Sequence, residues 1–176
     1  MVYSDPSTVS LEAAVEVIRI GIEDAERIAP LVAAFRVQLK AYKGIQARPN
    51  GEAGREEILE FLNAGFPVYA AQDGGTFVGY LVCRIDAPCL WVEQLFVREE
   101  CRRKGVASML FAKAEEIAAS LGEDTVYNYV HPNNAGMIRF LRAKGYTVLN
   151  LIEIRKPYEG EELTTKIHVE KEVFDY

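Results

Sequence analysis

Three cations, Arg102, Arg103 and Lys104, stand directly before Gly105 and an apolar helical stripe that starts at Val106. Positive charge is disfavoured at a helix start, because the free N–H groups there already carry partial positive charge. Each cation costs a few tenths of a kcal/mol, up to roughly 1. Gly105 is a poor helix former and adds roughly 1 kcal/mol relative to Ala. Local rules fail most often at functional sites, and an oxyanion would reverse both signs. The first N–H groups of a helix have no internal partner and can be satisfied by an anion. Gly105 and Ala107 put no bulk over them, so an oxyanion could approach the backbone, with Arg102, Arg103 and Lys104 as counter-charges. Glu99 and Glu100, one turn earlier, would temper the charge of the empty site. The same residues also read as a solvated basic helix end with a tolerated glycine. Neither GxxxxGK[ST] nor GxGxxG occurs, so a Walker or dinucleotide loop is excluded as the holder.

A second candidate is Glu93, which interrupts the apolar run "CLWVEQLFV". Strand alternation places it on the face of Trp91, Leu95 and Val97. Apolar surroundings favour the protonated form of a carboxylate, which moves it toward useful base strength. The bland reading is a structural Glu paired with a neighbouring cation. Tyr127 and Tyr129 alternate outward in "TVYNYV", although strand tyrosines mostly pack. His131, before Pro132, is either a titrating group or a loop-former, and His168 reads as a surface strand residue. Tyr42, Arg48 and Trp91 could line an acceptor pocket. The three cysteines, Cys83, Cys89 and Cys101, are odd in number and lack CxxC spacing. With only two His besides, no metal site is expected, and a reduced, cytoplasmic setting is.

The elements that must position these groups follow from periodicity. A chain of 176 residues, 49% hydrophobic and 26% charged, is one soluble domain's worth. A net charge of −6 argues against a general nucleic-acid or anionic-membrane surface. The start "MVYSDPSTVSLEAAVEV" shows no leader pattern, and no run reaches transmembrane length. Residues 1–13 read as a flexible tail, and 14–176 as one domain. "VEVIRI" alternates as a strand, and "EDAERIAPLVAAFRVQLKAY" is helical, with Asp24 as cap and Pro30 an irregularity. "GREEILEFLNAG" is a helix ended by Gly65, and Gly74–Gly75 is a hairpin turn between "PVYAAQ" and "FVGYLVCRI". After "CLWVEQLFV", positions 106, 109, 110, 114, 117, 118 and 121 form one helical stripe. "TVYNYV" is a strand, "NAGMIRFLRAK" a helix, "YTVLNLIEI" a strand, and "TKIHVEKEVF" a last strand. The order β-α-α-β-β-β-α-β-α-β-β gives an α/β or α+β sheet covered by helices.

In that context Arg102-x-x-Gly105-x-Ala107, after a strand ending Leu95-Phe96-Val97, resembles the [QR]-x-x-G-x-[GA] motif of the GNAT superfamily of N-acetyltransferases. "NNAGMIRFLRAKGYTV" resembles the second signature, N-x-x-A-x-x-[LF]-Y-x-x-x-G-[FY], with Asn134, Phe140 and Gly145-Tyr146 in register. The likeness runs from about Val15 to Arg155. It implies a mixed, mostly antiparallel sheet of about six or seven strands, splayed between the fourth and fifth and flanked by about four helices. It also implies acetyl-CoA as cosubstrate, its pyrophosphate on the loop and helix start (Arg102, Arg103, Lys104, Gly105, Val106, Ala107, Ser108). Pantetheine would pair along Leu95, Phe96 and Val97, with Asn134 also at the cofactor. Two positions depart. Met137 replaces an Ala, and Leu141 stands where the family commonly has the Tyr that protonates the CoA thiolate.

The resemblance implies direct attack of an amine on the thioester in a ternary complex. An amide near Leu95 or Phe96 would hold the oxyanion, worth about 3 kcal/mol, and Glu93 would act as base. An acyl-CoA sensor with little turnover is the alternative, favoured by Leu141, and a helix-end site for another nucleotide is a third. The acceptor, an amine-bearing small molecule or peptide, would be chosen by residues around Phe35–Asn63, whose mixed charges select no class. A homodimer through terminal strands would suit such a chain.

Overall fold

The computed structural model describes residues 15–176, so the expected tail over 1–13 lies outside them. The chain forms two compact units, one ending at Ile138 and the other Arg139–Tyr176. The first contains β1 (Glu16–Arg19), α1 (Ala25–Tyr42), α2 (Gly51–Asn63), β2 (Val68–Asp73), β3 (Thr76–Asp86), β4 (Cys89–Val97), α3 (Val106–Ser120) and β5 (Tyr127–Asn128). These strands form one sheet in sequence order. β1 to β4 pair antiparallel, and β5 joins β4 in parallel.

Local chemistry explains most boundaries. The α2 helix begins three residues before the expected start because Asn50 caps it, its Oδ1 accepting from Ala53 N–H at 3.1 Å. Asp24 occupies the cap position of α1 but makes no capping bond; its carboxylate accepts from Arg27 at 2.7 Å instead. Pro30 lies inside α1 without ending it. Gly74 and Gly75, both at positive φ, close the β2–β3 hairpin between Asp73 and Thr76.

The core lies on both faces of the sheet. On one, Ile28, Leu31 and Val32 of α1 and Ile58 of α2 meet Val68, Ala70, Tyr80, Val82 and Phe96. On the other, α3 packs against β2, β3 and β4. Its buried stripe is Val106, Leu110, Phe111, Ala114 and Ala118; Met109, expected inside, is 38% exposed, and Phe111 fills the core instead.

α4 (Ala135–Ala143) spans the boundary between the units. In the second unit, β6 (Lys166–Val169) and β7 (Glu172–Asp175) form an antiparallel hairpin, not the single strand expected. "YTVLNLIEI" forms no strand, and Val148 and Leu149 are 86% and 81% exposed. Adjacent apolar pairs such as Val148-Leu149 and Leu151-Ile152 suit a strand covered on both faces. Among the described residues the β6–β7 hairpin pairs only with itself, and no ladder receives this run. The central sheet among the described residues therefore has five strands, not six or seven.

Candidate active site

The turn before α3 is built to leave main-chain donors open. Arg103 and Gly105 both adopt left-handed backbone conformations, at φ 63 and φ 84. Hydrogen bonding in α3 begins with Met109 N–H to Gly105 C=O at 3.1 Å, and Gly105 supplies no side-chain cap. The amides of Val106, Ala107 and Ser108 thus have no intrahelical acceptor. A Cβ at Gly105 would meet no protein atom within 4 Å, so no other element packs against the turn at that position. Arg103 and Lys104 are exposed beside it. Arg102 has another task. Its Nε donates to Val97 C=O at 2.9 Å and its Nη2 to Gln38 Oε1 at 3.0 Å, tying the turn to β4 and α1.

β4 leads into this turn with one edge unpaired. Its parallel ladder with β5 stops after Trp91–Tyr127 and Val92–Asn128. From Glu93 to Val97 it pairs only with β3. Arg98 N–H bonds Val78 C=O at 2.9 Å. Antiparallel rungs alternate between bonded and unbonded pairs, so Phe96 is bonded to Tyr80, whereas Leu95 turns its N–H and C=O and Val97 its N–H to the free edge; the Val97 C=O on that edge already accepts from Arg102. At the mouth of this slot, Asn128 Nδ2 donates to Val126 C=O at 2.9 Å, while its buried Oδ1 has no partner among the described residues.

A bulge sits at the same place. Val92 opposes Cys83 and Gln94 opposes Val82, leaving Glu93 as the extra residue. The bulge breaks the expected alternation. Trp91, paired with Arg84, lies on the face of Gln94 and Phe96, while Leu95 and Val97 lie on the opposite one. Glu93 is also not alone among apolar groups. Arg84 Nε donates to it at 2.6 Å, and the pair is about three-quarters buried, with side-chain exposures of 29% and 23%. The Arg84 guanidinium lies 5.5 Å from the Trp91 ring, which stacks on Tyr129 at 4.7 Å and lies 4.8 Å from Tyr127.

Gln94 points into the core beneath α1 and α2. It accepts from the Tyr80 hydroxyl at 2.7 Å and donates to Glu57, which Arg36 also grips through Nε at 2.5 Å. Burial pushes the Tyr80 hydroxyl well above its ordinary range, with the Glu57 charge adding to it, so it stays a neutral donor. The relay runs from the sheet to a cleft of about 290 Å³ between α1 and α2, lined by Arg36, Lys40, Arg48 and Glu57. Gly54 permits this close helix pair, since a Cβ there would lie 2.5 Å from Ala29 C=O.

Asn134 caps α4, its Oδ1 accepting from Met137 N–H at 3.1 Å, which leaves Nδ2 as its side-chain donor. His131 stacks on Tyr42 at 5.6 Å and accepts at Nδ1 from Asn133 N–H at 3.2 Å. Burial, helped by the Lys43 charge, lowers its proton affinity. Those contacts describe a loop-former. Leu141 is buried, 7% exposed, and carries no titrating group.

Sequence comparison decides the family. The acetyltransferase (GNAT) family matches residues 33–146, well over half of the chain. The chain belongs to that family. This acetyltransferase also shares its fold with solved structures. One is AAC(6')-Iy bound to the bisubstrate analogue CoA-S-monomethyl-acetylneamine, at 18% identity and TM-score 0.63, covering 82% of this chain and 99% of the other. A ribosomal-protein-alanine N-acetyltransferase from Brucella melitensis biovar Abortus 2308 gives 18% identity, TM-score 0.61 and the same coverage. The PaiA N-acetyltransferase of Thermoplasma acidophilum in complex with coenzyme A gives 22% identity and TM-score 0.62, over 74% of this chain and 88% of that one. No curated protein matches the sequence.

In the acetyltransferase, the elements bring Glu93, Leu95 and Val97 to one strand and carry it straight into the turn of Arg102 to Ser108. Sequence reading missed Arg84, Gln94, Asn128 and the Arg36–Glu57 pair. One signal was available. Two polar residues in succession, Glu93-Gln94, cannot share one face of an apolar strand unless a bulge turns them, and the bulge is there.

Proposed function

We propose that this acetyltransferase moves the acetyl group of acetyl-CoA to a primary amine by direct attack, within one catalytic domain over 14–176. The observation that carries the reading is continuity: the unpaired edge of β4 runs directly into the uncapped start of α3. Pantetheine adds to the free edge as a strand would, bonding the Leu95 and Val97 main chain. The pyrophosphate lies on the amides of Val106, Ala107 and Ser108, with Arg103 and Lys104 as counter-charges. Arg102 acts at one remove, fixing the turn to β4. The buried Asn128 Oδ1 accepts from an N–H of the bound ligand, and Asn134 Nδ2 is the donor at the α4 start.

In the transfer, the amine nitrogen forms its bond to the acetyl carbon, and the thioester C–S bond breaks to release the CoA thiolate. The Leu95 N–H, rather than that of Phe96, stabilises the oxyanion, because Phe96 is already bonded to Tyr80. Glu93 takes the ammonium proton, directly or through water, with Arg84 fixing its orientation. Leu141 supplies no acid; Tyr127 on β5, tilted against Trp91, and Tyr129 beyond it, stacked on the same ring, are the candidate hydroxyls.

Calorimetry with acetyl-CoA, followed by thiol release across an amine panel, tests the reading. Binding with turnover on at least one amine supports it. Tight binding without turnover on any amine would replace it with the acyl-CoA sensor that the buried Leu141 favours. ATP or NADP protecting the fold from heat better than CoA would remove both.

A further inference from the structure

The sequence left the acceptor open because Phe35–Asn63 mixes charges of both signs. The fold sorts them. Of these groups, Arg36, Lys40, Arg48 and Glu57 line the α1–α2 cleft, while Lys43, Glu52, Arg55, Glu56 and Glu60 do not. Arg55 turns away to pair with Glu26. The cleft therefore sets three cations against one carboxylate. Moreover, that carboxylate is already used, since Arg36 holds both Glu57 oxygens and Gln94 donates to one of them. Lys40 and Arg48 form no ion pair among the described residues. A purely cationic amine would meet like charge here without a free acid to balance it.

We infer that the acceptor carries an oxyanion, carboxylate or phosphate, besides the amine, and that Lys40 and Arg48 bind this group in the cleft. The inference rests on the acetyltransferase reading and deepens it by naming the acceptor class. The volume, about 290 Å³, admits a small molecule or one terminal residue of a peptide. Geometry connects this anchor to the chemistry. Glu57 lines the cleft and accepts from Gln94, which follows the bulged Glu93 on β4. An acceptor pinned by its anion at Arg48 and Lys40 extends its amine toward that bulge. The protein's overall charge of −6 points the other way, toward cationic amines. Local charge governs here, because exposed charges farther than a Debye length of about 8 Å are largely screened at physiological salt.

The test compares matched acceptors by thiol release from acetyl-CoA: glutamate against its dimethyl ester, and O-phosphoethanolamine against ethanolamine. The two pairs separate carboxylate from phosphate. We expect the anionic member of at least one pair to be preferred by about tenfold in kcat/KM, with KM rising as salt is added. Lys40→Ala and Arg48→Ala should each cut that preference about threefold, through KM. Arg55→Ala, outside the cleft, should keep it. Equal or better turnover of both members that lack the oxyanion overturns the inference while leaving the acetyltransferase reading intact. So does a preference that survives the double variant. No turnover with any amine, despite acetyl-CoA binding, would remove both.

Discussion

Glu93 and Arg84 show how much a single contact changes a residue's meaning. As an isolated carboxylate in an apolar strand, Glu93 would be a base by desolvation alone. Held at 2.6 Å by Arg84, its carboxylate is fixed in place by a guanidinium that cannot itself lose a proton, and under the proposed mechanism it acts as base by position. Glu93→Gln keeps the shape and one hydrogen bond but removes the proton acceptor. We expect kcat/KM to fall about a hundredfold near neutral pH, and less at high pH, where the amine loses its proton unaided. A flat ratio between variant and parent across pH 6–10 would remove Glu93 from the proton path. Arg84→Lys tests orientation, and should lower kcat more than it raises KM. Cys83 offers a separate check. Burial, with the Glu93 charge adding to it, pushes its thiol up to about 12, so it stays protonated and unreactive. A thiol reagent should label Cys89 and Cys101 in the native protein, and Cys83 only after unfolding.

For the elements, the decisive features are an edge and an end. The free edge of β4 exists because β5 is two residues long, and the open end of α3 exists because Gly105 in a left-handed turn provides no cap. Gly105→Ala should cost about 1–2 kcal/mol of stability through its φ of 84. It also disfavours the left-handed turn that opens the α3 amides, so acetyl-CoA affinity should drop about tenfold or more under the proposed pyrophosphate placement. A normal affinity in that variant would mean the pyrophosphate lies elsewhere. Gly54→Ala perturbs a different contact: the Cβ 2.5 Å from Ala29 C=O must push α1 from α2. We expect a loss of about 1–3 kcal/mol, as overpacking gives, together with a raised acceptor KM and little change in acetyl-CoA affinity. Chemical denaturation and ligand titration separate the two effects.

Over the whole molecule, binding and protonation should both register in stability. Acetyl-CoA at a hundred times its Kd should stabilise the native state by about 2.7 kcal/mol, read as a rise in Tm. The His131 ring gives the acid limb. Its folded-state pKa is lowered below 6.5, so the unfolded chain binds the proton first as pH falls. The stability it contributes is therefore complete above about pH 6.5 and declines from there down to the folded value. Denaturant midpoints at pH 7.5 and 5.5 should differ, and His131→Gln should narrow the difference. An equal pH slope in that variant would move the effect to other groups.

Periodicity and turn chemistry made the β1–β5 frame readable from the chain, because each element's own apolar pattern matches its final environment. The α3 mouth was readable for the same reason: cations and a glycine at a helix start break a local rule in the sequence itself. "YTVLNLIEI" was misread because a strand exists only if a ladder receives it, and no short window contains its partner. The face of Glu93 was misread because a bulge is a property of two strands in register, decided where Val82 meets Gln94 and Cys83 meets Val92. The cleft between α1 and α2 was hidden for a related reason. Composition counts charges along the chain, but only packing decides that Arg55 pairs with Glu26 outside it while Lys40 and Arg48, without an ion pair among the described residues, stand on its wall.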